Sequence, residues 1–124
     1  ILAAVGVVAY DGYTAAAKVN ATKTIHAQTV KYMAAESQKC SLGESSYAGT
    51  QTCPVTAAKI VTGTIAQLTD KNPHDTTAES VREGTTYVLG YVQIKASGTN
   101  VIVKTCTKTG CATADQITST VATQ

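Results

Sequence analysis

The first ten residues of the chain carry no charge, and Gly6 is the single non-hydrophobic residue among them. No proline occurs before Pro54, and alanine is frequent, so the pattern predicts one helix over residues 1–39. At 1.5 Å per residue this helix would be roughly 58 Å long, far longer than a small domain can cover. A membrane-spanning helix needs about 20 apolar residues. The apolar run is therefore expected either to continue a longer apolar helix or to be buried among protein.

Beyond the apolar run, the helix carries apolar residues at helical spacing on two sides. One stripe comprises Val19, His26, Val30, Met33 and Ala34, and the other comprises Ile25 and Tyr32. Two stripes indicate a helix contacted both by its own domain and by neighbouring subunits. The alternative is one broad core face with Tyr32 partly exposed.

The rest of the chain predicts a short helix followed by strands. Pro54 suits the first turn of a helix over residues 54–68, with Thr52 as its N-cap. Residues 70–84 are predicted to be an exposed loop, with one possible helical turn at 78–82. Residues 85–96 and 101–107 form a predicted hairpin, and residues 114–122 a third strand. The expected fold class is α+β, with a long N-terminal helix on a small antiparallel sheet.

Length and composition are consistent with one domain. The chain has 124 residues, no Phe, no Trp and six Tyr, so its core must be built from small aliphatic residues and tyrosine. Residues 1–39 are interpreted as an assembly helix and residues 40–124 as a globular head. The net charge is +2 without a basic stripe, which gives no reason to predict specific nucleic-acid binding.

Four cysteines form two local pairs in the sequence, and three connectivities are possible. We predict Cys40–Cys53 and Cys106–Cys111, which would indicate an oxidising compartment. A site of four thiolates binding a metal is the alternative, but the spacing contains no CxxC knuckle. We therefore predict no metal and no cofactor.

Polar candidates outside the cysteines are few. His26 is expected to be a buried, hydrogen-bonded core histidine, with a pH-sensitive assembly contact as the alternative. His74 is expected to be a solvated loop residue. Asp70, Asn72 and Asp75 could supply oxygen ligands to calcium, but an Asx and proline turn is favoured because Pro73 interrupts the series. No catalytic motif is present in the sequence, so an enzyme is not expected.

The N-terminal segment resembles the N-terminal helix of type IV pilins, whose sequence runs close to Gly-Ile-Leu-Ala-Ala-Ile-Ala-Val-Pro-Ala-Tyr-x-x-Tyr-x-x-Ala. The matching residues are Ile1-Leu2-Ala3-Ala4, Ala9-Tyr10, Tyr13 and Ala16 or Ala17. The chain departs from the pattern at Val8, where many pilins have a helix-breaking proline. A helix across this stretch, with any irregularity centred on Gly6, is therefore predicted in the assembled state.

The resemblance implies a pilin fold whose helix is truncated upstream of Ile1, in a structural subunit of an extracellular pilus. Such a subunit is first anchored in the inner membrane and then polymerises with identical copies. The residues expected to mediate self-association are Ile1, Leu2, Ala3, Ala4, Val5, Val7, Val8, Ala9, Tyr10 and Tyr13, with residues 1–17 in the filament core. Alternatives are a pseudopilin of a type II secretion system and a membrane-tethered binding domain that acts singly.

Overall fold

The computed structural model describes the backbone from residue 2 to residue 123 and the side chains of residues 14–123. Helix α1, Leu2–Ser41, is 40 residues long and confirms the predicted long helix, ending two residues later than expected. Gly43, with φ of 104°, allows the chain to leave the helix. The N–H of Glu44 then donates to the carbonyl of Lys39 and that of Gly43 to Cys40, which is a Schellman motif.

One broad face of α1 packs on the rest of the chain. This arrangement corresponds to the alternative of a single core face, and not to two separate stripes. Its buried side chains are Thr22, Ile25, His26, Thr29, Met33 and Ser37. Tyr32 is half-buried, with its ring edge-on to Tyr47 at 6.4 Å between centroids. Ala34, by contrast, is exposed. Ile25 and Met33, which were placed on different stripes, are both buried in the core of the chain's own domain.

The second helix begins later than predicted. Strands β1, Ser46–Tyr47, and β2, Gln51–Thr52, form a small hairpin before helix α2, Ala57–Gln67. Thr56, not Thr52, is the N-cap, since its hydroxyl accepts the N–H of Lys59 at 3.3 Å. Pro54 follows a cis peptide bond and lies outside the helix.

Residues 70–84 contain three strands and no helical turn, which corrects the predicted loop. They are β3, Lys71–Asn72, β4, Asp75–Glu79, and β5, Val81–Glu83. The backbone at 81–83 is extended because it pairs with a distant strand, which its local sequence does not signal. The predicted strand over 85–96 is also shorter, since β6 spans Val92–Ser97.

The main sheet has the strand order β5-β6-β7-β8, with β7 at Asn100–Cys106 and β8 at Gln116–Ala122. The β6–β7 hairpin and the third predicted strand are thus confirmed. Gly98, with φ of 60°, takes the first central position of the hairpin turn, which a type II′ turn reserves for glycine. β5 runs parallel to β6, so the sheet is mixed and not purely antiparallel.

The core lies between the inner face of this sheet and the two helices. Val92, Ile94, Val101 and Val103 on the sheet are fully buried, as is Ile60 of α2. Met33 of α1 and Tyr47 of β1 join the same cluster. Short aliphatic side chains thus fill the interior of a chain that has no Phe and no Trp.

Candidate functional site

The head covers only part of the described side chains of α1. Thr14 is half-buried, residues 15–18 are exposed, and the first buried side chain of the described helix is Thr22. From there buried residues recur as far as Ser37. The ten residues expected to mediate self-association lie in the segment 1–13, whose side chains are outside the described residues, as Ile1 is entirely. Their role therefore stays a prediction.

His26 joins α1 to two strands of the sheet. Its Nδ1 lies 2.7 Å from the hydroxyl of Thr105 on β7, and its Nε2 lies 2.8 Å from the hydroxyl of Ser119 on β8. Both hydroxyls can donate or accept, so the neutral imidazole is satisfied in either tautomer. Burial lowers the pKa of His26, because the charged form would lose its hydration. The prediction of a hydrogen-bonded core histidine is confirmed.

The partners of His26 were not predicted from the sequence, although a weak signal for them exists. In β7, Thr105 follows Val101 and Val103 at a spacing of two, which places it on the same inner face. In β8, Ser119 lies between Ile117 and Val121 on that face. Two hydroxyls among aliphatic residues of an inner face indicate a buried polar partner, but they do not identify it.

The C-terminal part of α1 is fixed to the head by a carboxylate and a disulfide. The Oε1 of Glu36 accepts the backbone N–H of Ala48 at 2.9 Å, while its Oε2 pairs with Lys39 Nζ at 2.7 Å. The hydrogen bond holds Ala48 in a left-handed conformation with φ of 54°. The predicted Cys40–Cys53 disulfide is present next to this contact, as is Cys106–Cys111 near the C-terminus.

Tyr47 is the largest side chain that is fully buried in the head. Its hydroxyl is 2.7 Å from that of Thr64 on α2, so the ring is both packed and hydrogen-bonded. Burial raises the pKa of Tyr47 because the phenolate would be desolvated. Tyr47 therefore connects the β1–β2 hairpin with helix α2.

The turn at residues 72–74 has the predicted Asx geometry. Asn72 is fully buried; its Oδ1 accepts the N–H of His74 at 2.7 Å and its Nδ2 donates to the carbonyl of Leu89 at 3.0 Å. His74 is half-buried, with Nε2 3.0 Å from the carbonyl of Thr107. The expectation of a solvated His74 is therefore wrong, because the turn between β3 and β4 packs against the C-terminal end of β7.

The two aspartates considered for calcium both accept hydrogen bonds from nearby parts of the head, Asp75 through its carboxylate and Asp70 through its backbone. Oδ1 of Asp75 accepts both the hydroxyl and the N–H of Thr77, and these bonds lower the pKa of Asp75. Asp70 accepts the N–H of Ser80 through its backbone carbonyl at 2.8 Å. Within residues 14–123, no three side chains of His, Cys, Asp or Glu are grouped so that they could hold a metal ion.

An open groove of about 790 Å³ lies between the exposed turns of α1 and the C-terminal disulfide loop. Thr14, Ala15, Ala16, Val19 and Asn20 contribute small or uncharged side chains to it. Lys18, Lys108 and Asp115 give it charges of both signs, and His74 adds an imidazole. This mixture of opposite charges and small side chains does not select one class of ligand.

Two further findings concern membrane spans and known proteins. Among the described residues, no helix combines the length and the apolar character that crossing a membrane requires. Comparisons of the sequence with protein-family models and with curated proteins, and of the fold with solved structures, found no match.

Proposed function

We propose that the protein is a structural subunit of an extracellular filament of the type IV pilus kind, polymerising through its N-terminal helix. The observation that carries the proposal is the mismatch between α1 and the head. The helix has 40 residues, and among its described side chains, which begin at Thr14, the buried ones lie between Thr22 and Ser37. The resemblance of residues 1–17 to pilin helices supports the same interpretation.

The physical argument concerns the first ten residues, which the sequence leaves without a charge. A helix that is apolar all round must be buried by lipid or by other helices. One head cannot surround such a segment, but several identical segments can surround one another. Burial of apolar surface contributes about 25 cal/mol per Å², so contacts repeated along a filament would give a large assembly energy.

The described head fits an external location. Its two disulfides are of the kind that persists in oxidising compartments. In this proposal the apolar segment anchors the subunit in the inner membrane before assembly. The partner is then a homopolymer of identical subunits, and no cofactor is required.

The test is a charge placed within the apolar run. Val5→Asp would bury a carboxylate without a partner in the filament core, so we expect filament yield by electron microscopy to fall to background. Ala112→Asp, at an exposed position of the head, is the matched control and should leave filaments intact.

Thermal unfolding of the head distinguishes loss of assembly from loss of folding. Both variants should unfold at the temperature of the unchanged protein, since position 5 is 17 residues before Thr22, the first buried residue among the described side chains of α1. Normal filaments from Val5→Asp, or a head destabilised by that substitution, would contradict the proposal. Native material that never forms filaments would favour a pseudopilin or a singly acting domain.

A further inference from the structure

The outer edge of β8 is unpaired in the part of the chain that the structure describes. β8 is the last strand of the main sheet, and its register with β7 is continuous over seven pairs, from Asn100↔Ala122 to Cys106↔Gln116. No backbone hydrogen bond reaches its other side from any described residue. An edge of this length is a template for another strand.

The hydrogen-bond pattern identifies which groups the edge presents. The N–H of Thr107 donates to the carbonyl of Asp115, and the N–H of Thr123 donates to the carbonyl of Thr99. Antiparallel pairs alternate between hydrogen-bonded and non-bonded types, so odd-numbered residues of β8 bond to β7. The outward backbone groups therefore belong to the even-numbered residues, which are Gln116, Thr118, Thr120 and Ala122.

The edge lacks the features that block strand addition in natural sheets. Residues 116–122 contain no charge and no proline, and the β7–β8 pairing contains no bulge. The opposite edge differs, since β5 has three residues and two of them are the charged Arg82 and Glu83. Thr, Ile and Val also favour strands, so β8 is suited to pairing on both sides.

We propose that β8 pairs with β8 of a second copy of this chain, antiparallel, about a two-fold axis at Ser119. This register pairs Thr118 with Thr120 on the outer face of the joined sheet. It pairs Ile117 with Val121 on the inner face. Gln116 then meets Ala122, so all four outward residues of each copy form hydrogen-bonded pairs. Ile117, which is half-buried in one copy, gains an aliphatic neighbour.

A second copy satisfies the whole edge, because in this register every outward N–H and carbonyl of one β8 has a partner on the other β8. A shift by two residues would leave outward groups unpaired at each end of the seven-residue strand. In the proposed register, threonine faces threonine and aliphatic faces aliphatic, while like charges never meet because the strand has none. The α1 helices lie on the same side of the joined sheet, because His26 contacts the inner-face residue Ser119. This head-to-head contact is independent of the apolar run and extends beyond the proposed filament contact.

Amide hydrogen exchange of the full chain in mild detergent tests the pairing at single residues. The N–H groups of Thr118 and Thr120 should exchange at least about tenfold more slowly in concentrated than in dilute samples, because pairing protects them. Ile117 and Ser119 should be protected in both samples, as their groups bond to β7. Association through residues 1–13 would not protect the outward amides of β8.

A pair of double variants tests the register. In Thr118→Glu/Thr120→Lys, each introduced carboxylate faces an introduced ammonium of the other copy, so concentration-dependent protection should persist. In Thr118→Glu/Thr120→Glu, two carboxylates face each other and the protection should be lost. Both variants lose the contact of Thr118 with Tyr87, and both place a carboxylate beside Lys104, so these two changes within the monomer are shared.

Two outcomes would overturn the proposal. One is rapid exchange of Thr118 and Thr120 at every concentration, which would leave the edge free for a different occupant. The other is equal behaviour of the two double variants, which would show that positions 118 and 120 do not face each other. Neither result bears on filament formation by the Val5→Asp test.

Discussion

His26 on α1 and Thr105 on β7 are 79 residues apart in the chain, and their side chains form a buried hydrogen bond of 2.7 Å. With the second bond to Ser119, the imidazole connects the helix to two neighbouring strands. These two bonds fix the rotation of the long helix relative to the sheet. A turn of the helix about its axis would break them and leave the buried imidazole without hydrogen-bond partners.

Stability should fall as the pH is lowered, because burial holds the pKa of His26 below its ordinary value. In the unfolded chain histidine has a pKa of about 6.5, so on acidification the unfolded state takes up the proton first. The contribution of His26 is fully present above that value and is lost as the pH falls towards the lower folded pKa. Thermal unfolding at several pH values should show this loss, and His26→Gln should show a smaller one. An equal acid dependence in both proteins would contradict the assignment.

Thr105→Val should destabilise the fold by about 1–3 kcal/mol, because it leaves a buried imidazole nitrogen without a partner while preserving side-chain shape. Denaturant unfolding measures the difference. Thr76→Val, at an exposed position of β4, is the control and should change stability by less than about 0.5 kcal/mol. If the two variants are equally stable, the hydrogen bond contributes nothing measurable.

Gly90→Ala should cost more than Gly98→Ala, although both glycines have positive φ, 76° and 60°. A side chain at Gly90 would collide with the Oδ1 of Asn72, the buried amide that holds His74 and Leu89, whereas the space around Gly98 is open. We expect about 1 kcal/mol for Gly98→Ala and several for Gly90→Ala. Comparable denaturation midpoints for the two variants would show that Asn72 relaxes freely.

Removing the Cys40–Cys53 disulfide should destabilise the protein more than removing Cys106–Cys111, because its loop is longer. The sequence separations are 13 and 5 residues. Loop entropy in the unfolded chain gives about 3 and about 2 kcal/mol, respectively. The paired substitutions Cys40→Ala/Cys53→Ala and Cys106→Ala/Cys111→Ala can be compared by urea unfolding. The reverse order would show that native contacts of the short C-terminal loop outweigh chain entropy.

Elements with strong local signals were predicted from the sequence. The proline-free, alanine-rich opening predicted α1, and the turn at residues 97–100 between alternating apolar residues predicted the β6–β7 hairpin. Local spacing also predicted both disulfides, because each cysteine has its partner within one loop. These features depend on backbone geometry and short-range closure, which a sequence encodes directly.

Elements that depend on distant partners were not predicted. Val81–Glu83 are extended because they pair with Val92–Ile94, and His74 is half-buried because its turn packs against Thr107. Ile25 and His26 are both buried, although the helical spacing placed them on different stripes of α1. The sequence by itself determined which segments are helical and where disulfides cross-link the chain. The burial of His26 was predicted, but only the tertiary structure decided which hydroxyls are its partners, because a buried imidazole is stable only where groups from other elements satisfy it.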